Sequence, residues 1–176
     1  MRIVKLAAAV FGALAFAGAA QAATINLATN QVKSSYGGAL QITFVGKEAV
    51  FSTVVISTSA GDVLFNNQTA AIGYTTTIAG PAKGADIPFQ FNVLTSGQTL
   101  FSGLGVNNID NIVHAILMQN ADGSITVGFE DILGGGDLDF DDVVFTVTEV
   151  PLPGALALMA TGLIGLGAAR RRRKAA

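Results

Sequence analysis

"SITVGFEDILGGGDLDFDDVVFTV", residues 124–147, contains two runs in which every second residue is apolar. Such alternation is typical of a β-strand with one buried face, because successive side chains point to opposite faces of a sheet. The glycine triplet between the runs permits backbone angles that other residues avoid. The segment therefore predicts two adjacent strands joined by a glycine-rich turn, with these residues facing the core: Ile125, Val127, Phe129, Val143, Phe145 and Val147.

The same alternation recurs upstream, and turn signals such as Gly80-Pro81 separate the runs without an intervening amphipathic helix. The further core-facing residues are Leu40, Ile42, Phe44, Phe89, Phe91 and Val93. We expect one all-β domain over residues 23–149, an antiparallel β-sandwich or jelly roll. The runs 49–58 and 111–119 are apolar on both parities and predict central strands. The strand at 141–150 is expected at the sheet edge.

Six carboxylates crowd into the thirteen positions from 130 to 142, with no Lys, Arg or His among them. Two such charges repel by about 1 kcal/mol at 4 Å in water and by several times that near a protein surface. A bound cation would relieve this repulsion, whereas the alternative is a solvated acidic turn whose side chains cap amides. The candidate metal ligands are Glu130, Asp131, Asp137, Asp139, Asp141 and Asp142.

The residue types favour calcium as that cation. The chain has no cysteine and a single histidine, which excludes thiolate metals and a typical zinc site, whereas calcium takes oxygen ligands. In an extended chain Asp137, Asp139 and Asp141 would point the same way, with the intervening Leu138 and Phe140 facing the core. Glu130 or Asp131 would then complete the site from the opposing strand end.

The two ends of the chain predict export. Arg2 and Lys5 precede an apolar run at 6–17, and Ala20-Gln21-Ala22 has the small residues that signal peptidase requires. We expect residues 1–22 to be a signal peptide that is cut between Ala22 and Ala23. A short buried helix is the alternative. Residues 151–169 carry no charge and reach about 28 Å as a helix, enough for one transient passage through the inner membrane.

A proline motif, this apolar span and a basic cluster follow one another at residues 150–176. The arrangement resembles the PEP-CTERM sorting signal of Gram-negative bacteria, which an exosortase recognises. The resemblance implies cleavage near the prolines and release to the cell surface or extracellular matrix. The motif is of the VPLP type rather than Pro-Glu-Pro, which leaves the particular sorting enzyme open, and an ordinary C-terminal anchor is the alternative. The motif and cluster residues are Val150, Pro151, Leu152, Pro153, Arg170, Arg171, Arg172 and Arg173.

Without its two ends the chain is strongly acidic. Residues 23–150 contain three lysines, Lys33, Lys47 and Lys83, against twelve acidic residues, a net charge of −9. Nucleic acid and anionic lipid are therefore poor partners. The absence of cysteine excludes a disulfide framework, which leaves the apolar core, either alone or together with a bound metal, to hold the exported domain together.

"HAILMQNADGSITVGFEDILGGGDLDFDDVVFTV", residues 114–147, resembles the C-terminal part of a domain of unknown function, family 4114. Its acidic core carries the resemblance, which implies a β-rich extracellular module with calcium binding and implies no enzymatic activity. No part of the pattern aligns with residues 23–110. His114 lies in an apolar run and is expected to be a buried structural residue, with a place near the metal ligands as the alternative.

These observations favour a structural protein of the cell surface or biofilm matrix that is not an enzyme. The first alternative is a calcium-dependent adhesin that binds polysaccharide, through the calcium site or through polar loops such as 75–77 and Asn107-Asn108. The lack of Trp counts against a sugar site. The second alternative is a glycan-active enzyme that uses Glu130 and Asp137, but the clustered carboxylates offer no means of keeping one protonated and the other ionised.

Overall fold

The computed structural model describes residues 22–59 and 61–150. The predicted membrane helix, the residues from Pro151 onward and the predicted signal peptide before Ala22 lie outside this range. Within it the all-β prediction is confirmed, and the only helix is a 3-10 turn at Gly105–Asn107. No helix in the described range is long and apolar enough to cross a membrane. Ala23, the predicted first residue after cleavage, is fully buried.

The strands of the described range are β1 (Thr24–Asn26), β2 (Gln31–Lys33), β3 (Ala39–Gly46), β4 (Thr53–Ser57), β5 (Asp62–Asn66), β6 (Thr75–Ala79), β7 (Asp86–Ile87), β8 (Phe89–Val93), β9 (Gln98–Phe101), β10 (Ala115–Gln119), β11 (Ile125–Phe129) and β12 (Val143–Val150). They form three antiparallel sheets, in the orders β10-β11-β12-β3-β6, β5-β4-β8-β9 and β1-β2-β7.

The core lies between the five-stranded and the four-stranded sheet, as in a sandwich. Phe91 of β8 stacks on Phe129 of β11 with ring centroids 3.6 Å apart, and Phe145 of β12 meets Phe89 edge to face at 5.1 Å. All twelve residues that alternation assigned to the core are at most 1% exposed. Burying a Phe, Leu, Ile or Val side chain stabilises the fold by about 1.5–3 kcal/mol, so this alternating set supplies much of the driving force.

Two expectations about strand order are wrong. β12 is not an edge strand but lies between β11 and β3, where Phe145 is in register with Val127 on one side and with Phe44 on the other. The run 111–119 yields β10, which is the edge of its sheet rather than a central strand. Its outward residues Ile116 and Met118 remain 46% and 60% exposed. β4, from the run 49–58, is central as predicted.

This topology places the acidic segment at one end of the sandwich. β11 and β12 are antiparallel neighbours whose last pair is Phe129 and Val143. The connection, residues 130–142, therefore starts and ends at this end of the sheet and is called the acidic turn below. β4 of the opposite sheet begins nearby, since the hydroxyl of Thr53 donates a hydrogen bond to the Asp131 carboxylate at 3.1 Å.

Candidate metal centre

The acidic turn is a coiled connection rather than the extended chain expected from the alternation of acidic and apolar residues. Leu138 and Phe140 have φ angles of 62° and 57°, in the left-handed region that costs a residue with a Cβ about 1–2 kcal/mol. Leu138 is 54% exposed, so the prediction that the apolar pair faces the core is wrong for this residue. The cause is the glycine triplet, whose three positive φ angles turn the chain back toward β11.

The turn brings together three of the six predicted ligands. One carboxylate oxygen from each of Glu130, Asp137 and Asp139 lies within 4.8 Å of the other two. The backbone closes tightly over this group, because a Cβ built on Gly136 would stand 2.3 Å from Oε1 of Glu130. A glycine at position 136 is thus required for the Glu130 carboxylate to occupy its place beside the other two acids.

Glu130 is the most unusual of the three. The residue is 1% exposed, and within residues 22–59 and 61–150 neither of its carboxylate oxygens has a hydrogen-bond partner. Burial raises the pKa of Glu130 to about 7, the neighbouring carboxylates of Asp142 and Asp137 add to the effect, and the N–H of Ile132 acts in the opposite direction. A buried carboxylate without a donor is costly, and a cation placed among the three acids would compensate it.

Glu149 provides an internal comparison, because it is also a buried glutamate, 5% exposed. Its carboxylate accepts hydrogen bonds from the Ser34 hydroxyl at 2.7 Å and from the N–H groups of Ser35 at 2.6 Å and Tyr36 at 2.9 Å. Burial raises the pKa of Glu149, but these hydrogen bonds outweigh it and the pKa falls below its usual value. The chain can therefore satisfy a buried carboxylate with its own donors, and it does not do so at Glu130.

The other three predicted ligands line or support the group. Asp131 is 2% exposed and is bound by Thr53, and burial raises its pKa to about 6 with a further contribution from Asp142. Asp142 accepts a hydrogen bond from the Asp131 N–H at 2.9 Å. Asp141 stands beside the triad on an open cleft of about 440 Å³, which is lined by Glu48, Glu130, Ile132, Gly136, Asp137, Asp139, Asp141 and Asp142.

Sequence reasoning missed Glu48. It follows β3, more than eighty residues before the acidic turn, and no local pattern marks it. β3 pairs with β12, and the N–H of Glu48 donates to the carbonyl of Asp141 at 2.9 Å, which brings its carboxylate to the cleft. Only the order of strands in the sheet could have revealed this residue.

A histidine and an aspartate lie behind the triad. His114 is fully buried, as predicted for a structural histidine. Its Nδ1 lies 2.9 Å from the carbonyl oxygen of Glu130, and its Nε2 lies 2.9 Å from Oδ2 of Asp110. Burial raises the pKa of Asp110, but hydrogen bonds from the Gly134 N–H, His114 and the Ile112 N–H lower it to about 2. The sequence analysis did not single out Asp110.

Comparison with known proteins bears on both the domain and the C-terminal segment. A family model described as "Domain of unknown function (DUF4114)" matches residues 56–149, so the expectation that no part of the pattern aligns with residues 23–110 is wrong for residues 56–110. A model described as "PEP-CTERM protein-sorting motif" matches residues 149–173. This motif implies export, recognition by an exosortase-type enzyme and sorting to the cell surface. No curated protein and no solved structure matches the chain.

Proposed function

We propose that this chain, which belongs to the family described as Domain of unknown function (DUF4114), is a structural protein of the cell surface or biofilm matrix of a Gram-negative bacterium. Its domain binds one calcium ion through Glu130, Asp137 and Asp139, and the ion stiffens the domain. The protein passes transiently through the inner membrane, and it is not an enzyme.

The observation that carries the calcium proposal is the Glu130 carboxylate, buried and without a donor in the described part of the chain, beside two other acids. Calcium and magnesium both take oxygen ligands, but calcium has a flexible coordination shell, whereas magnesium requires a near-ideal octahedron and gives up water reluctantly. Extracellular modules bind calcium with dissociation constants of about 10⁻⁴ to 10⁻³ M. We expect an affinity in this range, because Asp137 and Asp139 are open to solvent.

The position of the triad explains how calcium would stiffen the domain. Glu130 follows β11 directly, whereas Asp137 and Asp139 belong to the far side of the turn that leads into β12. The ion would tie these two parts of the connection together. Asp131, next to Glu130, is bound to Thr53 of the opposite sheet, so fixing the turn also fixes a contact between the two layers of the sandwich.

Thermal unfolding of the full-length chain in mild detergent, with and without calcium, tests the proposal. A ligand at 100 times its dissociation constant stabilises the folded state by about 2.7 kcal/mol, or roughly 5–10 °C for a domain of this size. Magnesium should have a smaller effect. If millimolar calcium leaves the melting curve unchanged and calorimetry detects no heat, the turn is a solvated acidic connection and the proposal is wrong.

The Glu130→Gln variant tests the role of the unpartnered carboxylate. Without calcium it should be as stable as the wild type or more stable, because an uncompensated buried acid has been removed. The stabilisation by calcium should largely disappear. Asp122→Asn is the matched control, because Asp122 caps the N–H of Ser124 in a different turn, and this variant should keep the full calcium response. A Glu130→Gln variant with the wild-type response would contradict the assignment.

A row of threonines supports the adhesin as a second candidate function. Thr75 of edge strand β6 is in register with Thr43, Thr43 with Thr146, and Thr146 with Thr126, so four threonines cross four strands. They alternate with core residues and so face outward, and the hydroxyls of Thr43 and Thr75 lie 3.0 Å apart. Such a row offers uncharged donors and acceptors to a neutral polysaccharide. Asn108 does not contribute, since it is buried and bonded within its own loop.

Binding of exopolysaccharide to the full-length chain, with and without calcium, separates the two candidates. A structural protein should show no saturable binding. An adhesin should bind, and Thr75→Val together with Thr43→Val should weaken the binding because valine keeps the shape and removes the hydroxyl. If Glu130→Gln weakens it instead and the threonine variants do not, the sugar depends on the metal centre rather than on the threonine row.

A further inference from the structure

Asp110 and His114, which precede β10 in the chain, contact the acidic turn, and His114 does so at the point where the chain leaves β11. The N–H of Glu130 donates to the carbonyl of His114 at 2.9 Å, and Nδ1 of His114 lies 2.9 Å from the carbonyl oxygen of Glu130. Backbone and side chain of one histidine therefore hold both peptide groups of Glu130. This double contact fixes the position from which the Glu130 side chain starts.

Asp110 extends the contact to the glycine side of the turn. Its Oδ2 accepts a hydrogen bond from the Gly134 N–H at 2.9 Å and also lies 2.9 Å from Nε2 of His114. Its Oδ1 accepts the N–H of Ile112 at 3.1 Å, which anchors the aspartate in its own loop. Glu130, His114, Asp110 and Gly134 thus form one continuous chain of polar contacts, which we call the brace.

The turn depends on this support. Within residues 22–59 and 61–150, the other hydrogen bonds of residues 132–138 are local, from the Gly135 N–H to the Ile132 carbonyl and from the Leu138 N–H to the Gly135 carbonyl. Its three glycines have many accessible conformations, and ordering them on binding would cost affinity. A turn that is already held in place avoids this cost.

We propose that Asp110 and His114 are positioning residues for the cation site. They do not touch the ion. They hold Glu130 and Gly134 so that the glycine triplet directs Asp137 and Asp139 toward the Glu130 carboxylate before calcium arrives. This inference rests on the proposed calcium function and adds two residues to it. Residues that orient metal ligands typically cost 10-fold to 100-fold in metal affinity when they are replaced.

Calorimetric titration of the full-length chain with calcium chloride tests the inference through Asp110→Ala. Asp110 suits this test because its side chain is 17% exposed, whereas His114 is fully buried and its replacement would disturb the core. We expect Asp110→Ala to bind one calcium ion with a dissociation constant raised about 10-fold or more. Asp110→Asn keeps an oxygen acceptor for the Gly134 N–H, so its dissociation constant for calcium should fall between those of the wild type and Asp110→Ala. Asp122→Ala, which removes a comparable turn cap from Ser124, should bind like the wild type.

Hydrogen exchange of the Gly134 amide, measured without calcium, provides a readout that does not depend on the ion. Asp110→Ala should speed this exchange and leave amides in the centre of β12 unchanged. Equal calcium affinity of Asp110→Ala and the wild type would overturn the inference while leaving the calcium site intact. If the wild type binds no calcium, the proposed function is wrong. The exchange of the Gly134 amide then tests the brace by itself: faster exchange in Asp110→Ala supports it and unchanged exchange refutes it.

Discussion

Replacing Gly136 with alanine should abolish most calcium binding while leaving the domain folded. The new Cβ would stand 2.3 Å from Oε1 of Glu130, whereas ordinary contact begins at 3.4 Å, so the carboxylate must move by about 1 Å. The fold tolerates this movement because the atom displaced is the end of a flexible side chain. The ion does not, because calcium ligands lie within 2.3–2.6 Å. We expect the dissociation constant to rise at least tenfold, equivalent to about 1.4 kcal/mol.

Gly134→Ala is the matched control for this experiment. Both glycines have positive φ angles, 85° at Gly134 and 48° at Gly136, so alanine is strained by about 1–2 kcal/mol in the left-handed region at either position. The φ of Gly136 is nearer the region that alanine tolerates, which makes Gly134→Ala the harsher change for the backbone. A Cβ on Gly134, however, meets nothing within 4 Å.

Calorimetric titration with calcium at 25 °C, together with circular dichroism to show that both variants are folded, distinguishes the two effects. Alanine at position 134 keeps the N–H that donates to Asp110, so Gly134→Ala should bind calcium with nearly the wild-type affinity and have a reduced melting temperature. Gly136→Ala should bind weakly although its calcium-free form melts no lower than Gly134→Ala. Equal calcium affinities for the two variants would show that the space beside Glu130 has no role in binding, and the assignment of Glu130 as a ligand would be refuted.

Three other predictions concern pH, Glu149 and processing. Glu130 and Asp131 have raised pKa values of about 7 and 6, so the folded state binds more protons than the unfolded chain between about pH 4 and these values, and calcium-free stability should fall as pH rises from about 5 to 8. Glu149 has a lowered pKa, so its contribution to stability should be lost only as pH falls through that value. Melting curves against pH, measured with and without calcium, check both pH effects. Saturating calcium should remove the fall in stability above pH 5. Glu149→Gln should destabilise the domain by about 2 kcal/mol in urea unfolding, because it weakens charge-assisted hydrogen bonds, and an unchanged midpoint would contradict the role given to the loop at 34–38. Mass spectrometry of surface-located protein should recover neither residues 1–22 nor the cluster from Arg170 to Arg173, and an intact cluster would indicate a simple anchor.

The sequence was sufficient to predict which residues form the core but not the order of the strands. The alternation of apolar residues at Phe89 and Phe91, or at Val143 and Phe145, indicates a strand with one buried face. This pattern depends only on neighbouring positions in the chain. The place of β12 in the middle of its sheet depends on pairing with β3, about a hundred residues away, and no local pattern encodes such a pairing. The same long-range pairing explains why Glu48 was missed at the cleft.

The acidic turn shows a similar division. The spacing of charges and the glycine triplet predicted a cluster, because closely spaced acidic residues and glycines that favour a turn are visible in the sequence. All three acids that meet were among the six predicted ligands. Which three of the six would meet could not be predicted, since the extended geometry assumed for residues 137–141 fails at Leu138 and Phe140, where φ is positive. Asp110 lay beyond prediction because it contacts the turn through His114 and through a backbone amide, neither of which has a sequence signature.

The central place of β12 has a consequence for when the domain can fold. A chain is made from its N-terminus, so β3 and β6 on one side and β10 and β11 on the other are complete before residues 143–150 exist. Until those residues arrive, the five-stranded sheet is two separate halves with their pairing edges open. β12 ends at Val150, and the sorting motif spans residues 149–173, so the last strand and the start of the motif are made together. The sheet can close only after synthesis has reached the start of the sorting signal.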